Sequence, residues 1–460
     1  MSNWGVRRRL MSGLVVLAMV PVALATTPVE ARPAARYPSP ITAASATPGP
    51  GAGEVTIRWK SKGDDVDYWR IDTSTTPPKQ DHADDPSRGW VTASFVVPGG
   101  SKARSMTLTP EQTAAAGAGL GTGNSLFVYV RGIHKKPKQV RSTKVFAASV
   151  LGTPSQATGA SIRVASYNVR VYDLDGPTGP HSWKNRAPRI VKNVVDVAPD
   201  IAGLQEAIPP MLTEEYSKDP GAPVLMKLFP DRYRMVRTAP IHYKKPNLPM
   251  DARILYDSTK FTLVSDCDNA VEYGDPDDEK TCSIEIPTTQ GKQQFAAYAR
   301  FEVIDGPSAG QQFWFVTAHQ SPGSNRAAEV LRAKQTEEIA QVMDAKNSGL
   351  DLPIIFTADT NSYQASPDGN DARVRMLQHG YYDTASAVQT VNLRFNSTNH
   401  FVKPQDASAN GFGTRLDVVM TKNLPGADLF KIVRTDNDPD FDDYPSDHNL
   451  VFAEFRLPMS

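Results

Sequence analysis

Only two cysteines occur in the 460 residues, Cys267 and Cys282. Neither has a second Cys or a His close by, which argues against a clustered Cys/His zinc site. Charge of one sign is missing too: 50 basic residues meet 50 acidic ones. That balance removes any general pull toward nucleic acid or membrane, so contact with a polyanion needs a local patch. Histidine is scarce, with eight in the chain. Beyond residue 25 no apolar run is long enough to span a bilayer, which excludes a stable membrane span there.

The first 25 residues carry the one extended apolar stretch. Arg7, Arg8 and Arg9 precede LMSGLVVLAMVPVALA. Basic start, short apolar run and small-x-small end predict a signal peptide over 1–25 and a secreted, extracellular product. In an exported chain the two cysteines, fifteen positions apart, read as a disulfide. Closing such a loop contributes about 3 kcal/mol.

Residues 26–50 are rich in Pro, Ala, Ser and Thr and read as a linker. Short alternating runs follow over 51–150: GEVTIRWK, DYWRIDTS, GWVTASFVVPGG, SMTLTPEQ, NSLFVYVRGIH and STKVFAASV. Their spacing predicts an all-β, immunoglobulin-like sandwich. Trp59, Tyr68, Ile71, Leu108 and FVYVRGIH resemble a fibronectin type III domain, which implies a spacer or binding module. Its basic run (Arg131, Lys135, Lys136, Lys138, Arg141, Lys144) reads as a solvated hairpin or as a patch for DNA or cell-wall polyanions. Residues 151–160 read as a second linker.

From 161 to 458 strands alternate with helices. The strands are SIRVASYNVR, DIAGLQE, RILYD, KFTLVSD, QFAAYARFEVI, QQFWFVTAHQ, LPIIFTADTN, RLDVVMTKN and NLVFAEFRL. One helix is predicted over NRAPRIVKNVVDV, with Pro188 in its first turn. A second is predicted from about Ser324, as cap, to Asn347, with Gly349 ending it. So many strands with so few helices predict helices packed outside two sheets.

Polar groups sit where these apolar strands end: Asn168, Glu206, His319, Asp359 with Asn361, Asp417, and Asp447 with His448. Each alone has an ordinary reading as a turn residue, a cap or a paired core group. Six such endings in one region point to a site, since strand ends beside loops are where a rigid scaffold presents functional groups. Carboxylates, carboxamides and imidazoles brought from separate strands are metal-binding or proton-transferring groups.

In the order SYNVR, GLQE, TAH, ADTNS, RLDVV, SDHNLV the set resembles the endonuclease/exonuclease/phosphatase superfamily, with the DNase I-like fold. WKNRAPRIVKNVVDVAPD, with Trp183, Arg186 and Pro199-Asp200, is similar to its first helix. The resemblance implies a four-layered α/β sandwich that cleaves phosphate esters with Mg2+ or Mn2+. Asn168, Glu206 and Asp447 would gather around the metal, and such oxygen ligands suit a hard cation. Asp359 would orient or deprotonate water, and Asn361 would donate to the phosphate. His319 and His448 would flank it, with Asp417 holding His448. Asp251 is the candidate partner of His319, and Arg253 the candidate phosphate contact. Two departures stand out: Ala358 and Thr360 replace Gly and an aromatic, and Ile208 replaces an arginine that reaches DNA.

The run TDNDPDFDDYPSD reads as a solvated loop or an ancillary Ca2+ site. The leading reading is therefore a secreted, metal-dependent phosphodiesterase, a nuclease in first place and monomeric. Alternatives in the same fold are a sphingomyelinase-type phospholipid hydrolase and a small-ester phosphatase. From another class, a non-catalytic binding protein would be expected to have lost Glu206, Asp359 or His448.

Overall fold

The computed structural model describes residues 41–75, 91–119, 124–135, 139–142, 147–214, 217, 221–236, 251–264, 282–289, 294–363, 366, 369–408 and 412–460. The signal-peptide segment, Cys267, Lys136, Lys138 and Lys144 lie outside them. Pro38–Ser460 forms one compact unit.

Among the described residues two seven-stranded sheets build the larger part. In the first the order is Tyr233–Met235, Arg253–Asp257, Ile201–Gln205, Ser161–Asn168, Leu450–Arg456, Leu429–Val433, Gln389–Val391. In the second it is Phe261–Leu263, Gln294–Val303, Gln312–His319, Ile354–Asp359, Asp417–Lys422, Tyr381–Asp383, with Ser283–Ile286 also on Gln294–Val303. The inner faces share one core, where Val164, Ile201 and Val451 meet Phe301, Phe313, Phe315 and Val419. The outer face of the first sheet packs on the helix Trp183–Val197, through Ala187, Ile190 and Val194. The outer face of the second packs on Arg326–Lys346, through Ile339, Ala340 and Met343. The layers thus run helix, sheet, sheet, helix.

Gly203 sets how closely the sheets approach beneath the strand ends. A Cβ there would collide with the hydroxyls of Thr357 and Thr317. One residue pair further along, the amide of Gln205 donates to Thr317 Oγ1 across the gap at 3.0 Å.

Several details differ from the sequence expectation. The first helix begins at Trp183, so Pro188 is its sixth residue and lies inside it. The ring leaves the Lys184 carbonyl without its helical donor, at an exposed position where water can serve. The second helix is capped by Asn325, which accepts from Ala328 N, rather than by Ser324. Ile41–Pro48, expected as linker, is a strand on Val55–Ser61. Ile41 and Ala46 bury there, so two apolar contacts suffice in a segment of small residues.

Residues 41–149 form a three-stranded and a five-stranded sheet around Trp59, Trp69, Ile71, Leu126 and Val128. TPEQ, expected at a strand end, opens the helix Pro110–Ala115 through a capping box between Thr109 and Gln112. Arg131 is not part of a surface patch: it is buried against Asp72 at 2.5 Å. The expected linker 151–160 lies against the larger part, with Thr153 N donating to Ser386 O and Gly159 N to Leu457 O, both at 2.9 Å. Phe127, Tyr129 and Val150 also pack with Phe412.

Candidate active site

Register places the second sheet's polar groups side by side. His319 lies across from Asp359 on parallel strands, and Asp359 across from Asp417 on antiparallel ones. In the first sheet Asn168 pairs with Gln205, and Glu206 follows at once. Glu206 leaves the strand at φ 59°, a left-handed conformation that costs a non-glycine residue energy. The last strand enters beside Asn168, whose carbonyl accepts from Ser446 Oγ at 2.7 Å. That contact sets Asp447 and His448 at the same mouth.

Asn168 links the two sheets. Its Nδ2 donates to Glu206 Oε1 and to Asp359 Oδ2, both at 2.9 Å. Its Oδ1 accepts from Arg170 N at 2.9 Å, and Glu206 Oε2 accepts from Val171 N at 2.8 Å. The two imidazoles face the same carboxylate oxygen. His319 Nε2 is 3.7 Å from Asp359 Oδ2, and His448 Nε2 is 3.8 Å from it. Each ring is held from behind by its own carboxylate: His319 Nδ1 by Asp251 Oδ2 at 2.6 Å, His448 Nδ1 by Asp417 Oδ2 at 2.9 Å. Asn361, at φ 48°, donates its backbone N–H to Asp359 Oδ1 and its side-chain amide to Gln320 O, each at 2.9 Å.

Burial and charge oppose each other here. Burial disfavours the cation of His319, but Asp251, with Asp359 and Glu206 beyond it, overrides that and raises its pKa to about 10. Burial likewise works against His448, and Asp417 and Asp359 raise it to about 10. Burial pushes Asp359 up, but the two imidazolium charges and the hydrogen bonds of Asn168 and Asn361 leave it below the usual carboxylate range. Asp417 is raised to about 6, mainly by burial, against the pull of His448. In the Asp417–His448 pair the proton therefore rests on the ring at neutral pH.

All eight residues singled out in the sequence meet in this one region. Asp447 meets it through a cation that sequence reasoning gave no role. Arg170 Nη1 is 2.6 Å from Asp447 Oδ2, while its other nitrogens grip Asp175 at 2.7–3.0 Å. Burial acts against the Arg186 guanidinium and lowers its pKa, yet it anchors the same loop. It donates to the carbonyls of Val169, Arg170 and Val171 at 2.8–3.2 Å. Arg170 was visible in SYNVR and Arg186 in WKNR, but neither stands at a strand end. Asp251 is where it was looked for. Arg253 is buried in the strand that follows Asp251. Arg415, two residues before Asp417, pairs with Asp383 at 3.2 Å.

The oxygen-rich mouth fits a hard cation. Glu206 and Asp447 supply carboxylates and Asn168 a carboxamide, and among the described residues the groups that hydrogen-bond to the Glu206 oxygens are neutral N–H donors. Among the described residues Asp359, Asp417 and His448 also lie at metal-ligand spacing. There, however, Asp417 Oδ2 and His448 Nδ1 already bind each other. Three carboxylates of the aspartate run are already paired with basic side chains. Asp442 pairs with Arg189 at 2.7 Å, Asp443 with His181 at 3.1 Å and Asp436 with Arg434 at 2.5 Å.

No family model and no curated protein matches the sequence. Solved structures are similar to part of the chain. An endonuclease/exonuclease/phosphatase family protein from Bacteroides thetaiotaomicron is 19% identical, with a TM-score of 0.46 over 65% of this chain and 96% of that one. A mannosyl-6-phosphatase from the same organism is 18% identical, with a TM-score of 0.46 over 64% and 98%. Sphingomyelinase C from Streptomyces griseocarneus is 16% identical, with a TM-score of 0.41 over 65% and 100%. The side chains themselves carry the chemistry.

Proposed function

We propose that the chain is an exported, divalent-metal-dependent phosphoric ester hydrolase of the endonuclease/exonuclease/phosphatase type, acting on phosphodiesters. The observation that carries this is the pair of imidazoles facing Asp359 Oδ2, each backed by a separate buried carboxylate. A structural ion pair needs one histidine and one acid. Two cations converging on one oxygen make a place for an anion beside an ionised base.

Asn168, Glu206 and Asp447 would hold Mg2+ or Mn2+. When bound, the metal supplies charge neutralisation at the phosphate oxygens. His319 and His448, protonated at neutral pH, donate through Nε2 to the non-bridging oxygens and stabilise charge as it grows there. Asp359 stays ionised, orients the attacking water and takes its proton. Asn361 carries the water-side loop, and its amide is held by Gln320 O. Asp251 and Asp417 hold the angle of each ring and favour its protonated form.

Export is supported by the signal-like start, and a disulfide by the Cys267–Cys282 spacing; Cys282 is buried and is not a free thiol. The β-rich residues 41–149 fit a fibronectin type III-like accessory domain. The leading substrate is nucleic acid. The test is hydrolysis of plasmid DNA, single-stranded RNA, sphingomyelin and bis(p-nitrophenyl) phosphate, with Mg2+, Mn2+ or EDTA, beside His448→Ala. Metal-dependent cleavage of nucleic acid that vanishes in the variant supports the nuclease. Cleavage of lipid alone replaces it with the phospholipase reading. No turnover of any diester, with metal still bound, overturns the phosphodiesterase and leaves a small phosphate ester as substrate or the binding-protein reading.

A further inference from the structure

A cavity of about 400 Å3 is lined in part by the loops that follow Asn168 and Glu206 in the chain. Sites for small ligands start at about this size and are lined mainly by apolar and aromatic groups. Here the walls are Tyr172, Pro177, Trp183, Pro210, Ala222 and Pro223. Two chain segments run into it directly from the catalytic strands. Val171 N donates to Glu206 Oε2 at 2.8 Å, and Tyr172 is the next residue. Pro210 follows four positions after Glu206, in the short helix Pro209–Leu212.

The cavity is braced before anything enters it. Trp183 Nε1 donates to Pro223 O at 2.7 Å, which ties two walls together. The loop carrying Tyr172 and Pro177 is pinned by Arg170 on Asp175. Rigid walls lower the ordering cost of binding. Asp173 and Lys184 also line the cavity, so its formal charges cancel. A phosphate-rich strand would find no net cation there. Flat proline and aromatic faces suit an uncharged ring.

We propose that this cavity is the subsite for an uncharged aromatic or heterocyclic ring on the alcohol side of the phosphate ester, as in a nucleoside. The inference rests on the hydrolase reading for the position of the phosphate. The ring enters beside Glu206 while the phosphate lies at His319 and His448. The subsite would then set specificity without touching the reacting atoms.

The test separates the two ideas. Ala222→Phe fills the cavity, and Tyr172→Ala strips one wall; neither is a residue of the catalytic set. Binding of thymidine 5′-phosphate and of methyl phosphate to the whole protein is measured by calorimetry with Mg2+. Hydrolysis of thymidine 5′-(p-nitrophenyl) phosphate and of methyl p-nitrophenyl phosphate is followed in parallel. The wild type should bind the thymidine compound about tenfold or more tightly than methyl phosphate, the scale of one stacked ring. Ala222→Phe should erase that preference and keep the methyl phosphate affinity. If that variant does not fold, loss of the preference in Tyr172→Ala supports the subsite equally well. Equal binding of the two probes by the wild type overturns the subsite, as does an unchanged preference in a folded variant. A preserved binding preference with no turnover of either ester upholds the subsite and removes the hydrolase reading.

Discussion

Asp251 holds His319 by one short hydrogen bond, 2.6 Å from Oδ2 to Nδ1, and the ring's other nitrogen faces Asp359. Asp251 stands just ahead of the strand Arg253–Asp257 in the first sheet, while His319 ends a strand of the second. The pair therefore depends on the two sheets keeping their relative position. Asp251→Asn keeps the shape and removes the charge that chiefly raises the ring. The His319 pKa should fall from about 10 toward its ordinary range. Less imidazolium then remains at neutral pH. The rate should drop by about 10²-fold, the scale of one proton-transfer group. In a pH profile of kcat/KM the alkaline limb should move to lower pH; a limb that stays in place would remove His319 from the chemistry.

The raised histidines also bear on stability. A group whose folded pKa lies above its unfolded value binds its proton more tightly in the native state. The stabilisation is complete below the ordinary histidine value of 6.5. It is lost as pH rises through the folded value of about 10. Metal-free protein should thus weaken toward urea between pH 6.5 and pH 10. His319→Gln should flatten that slope. An equally steep slope in the variant would place its source elsewhere.

Glu206 and His448 discriminate the two candidate ligand groups. With the metal on Asn168, Glu206 and Asp447, Glu206→Ala should weaken Mn2+ binding by about 10–100-fold, in line with the loss of a group that shapes a metal site. His448→Ala should leave Mn2+ binding in place and abolish turnover. Calorimetric titration of Mn2+ measures both. The reverse pattern would assign the metal to Asp359, Asp417 and His448, which also lie at ligand spacing.

The long strands were legible in the sequence because they alternate or run apolar for five residues or more. Their polar ends were legible for the same reason, since Asp359 or His319 interrupts a run that ought to stay buried. Leu429–Val433 and Gln389–Val391 were not, being short and lying toward the edge of the first sheet. Ile41–Pro48 was hidden by composition, since small residues and proline look alike in a linker and in an edge strand. Arg170 and Asp175 were missed because a loop-borne ion pair leaves no periodic trace. Glu329, Arg332 and Gln335 were missed for the opposite reason. They lie on a helix read through its apolar spacing, whereas the buried face near its N-terminal end is polar.

That polar face carries the last prediction. Glu329 is fully buried and pairs with Arg332 Nη2 at 2.5 Å. Its Oε1 accepts from Ser362 Oγ and from Asp371 N, both at 2.6 Å. Arg332 donates to the carbonyls of Ser321 at 3.1 Å and Gly323 at 2.8 Å. The pair therefore clamps the loop after His319 to the loop after Asp359 without touching either side chain. Glu329→Gln leaves Arg332 buried without its counter-charge, and breaking such a pair costs about 3–5 kcal/mol. Urea unfolding should show that loss. A purely structural role would stop there. If the clamp also positions the two loops, kcat at low temperature, where the variant is still folded, should fall while KM holds. Replacing both Glu329 and Arg332 with apolar residues of similar volume should recover part of the stability without restoring kcat, because the carbonyls of Ser321 and Gly323 would then lose their donor. Recovery of both together would reduce the clamp to packing.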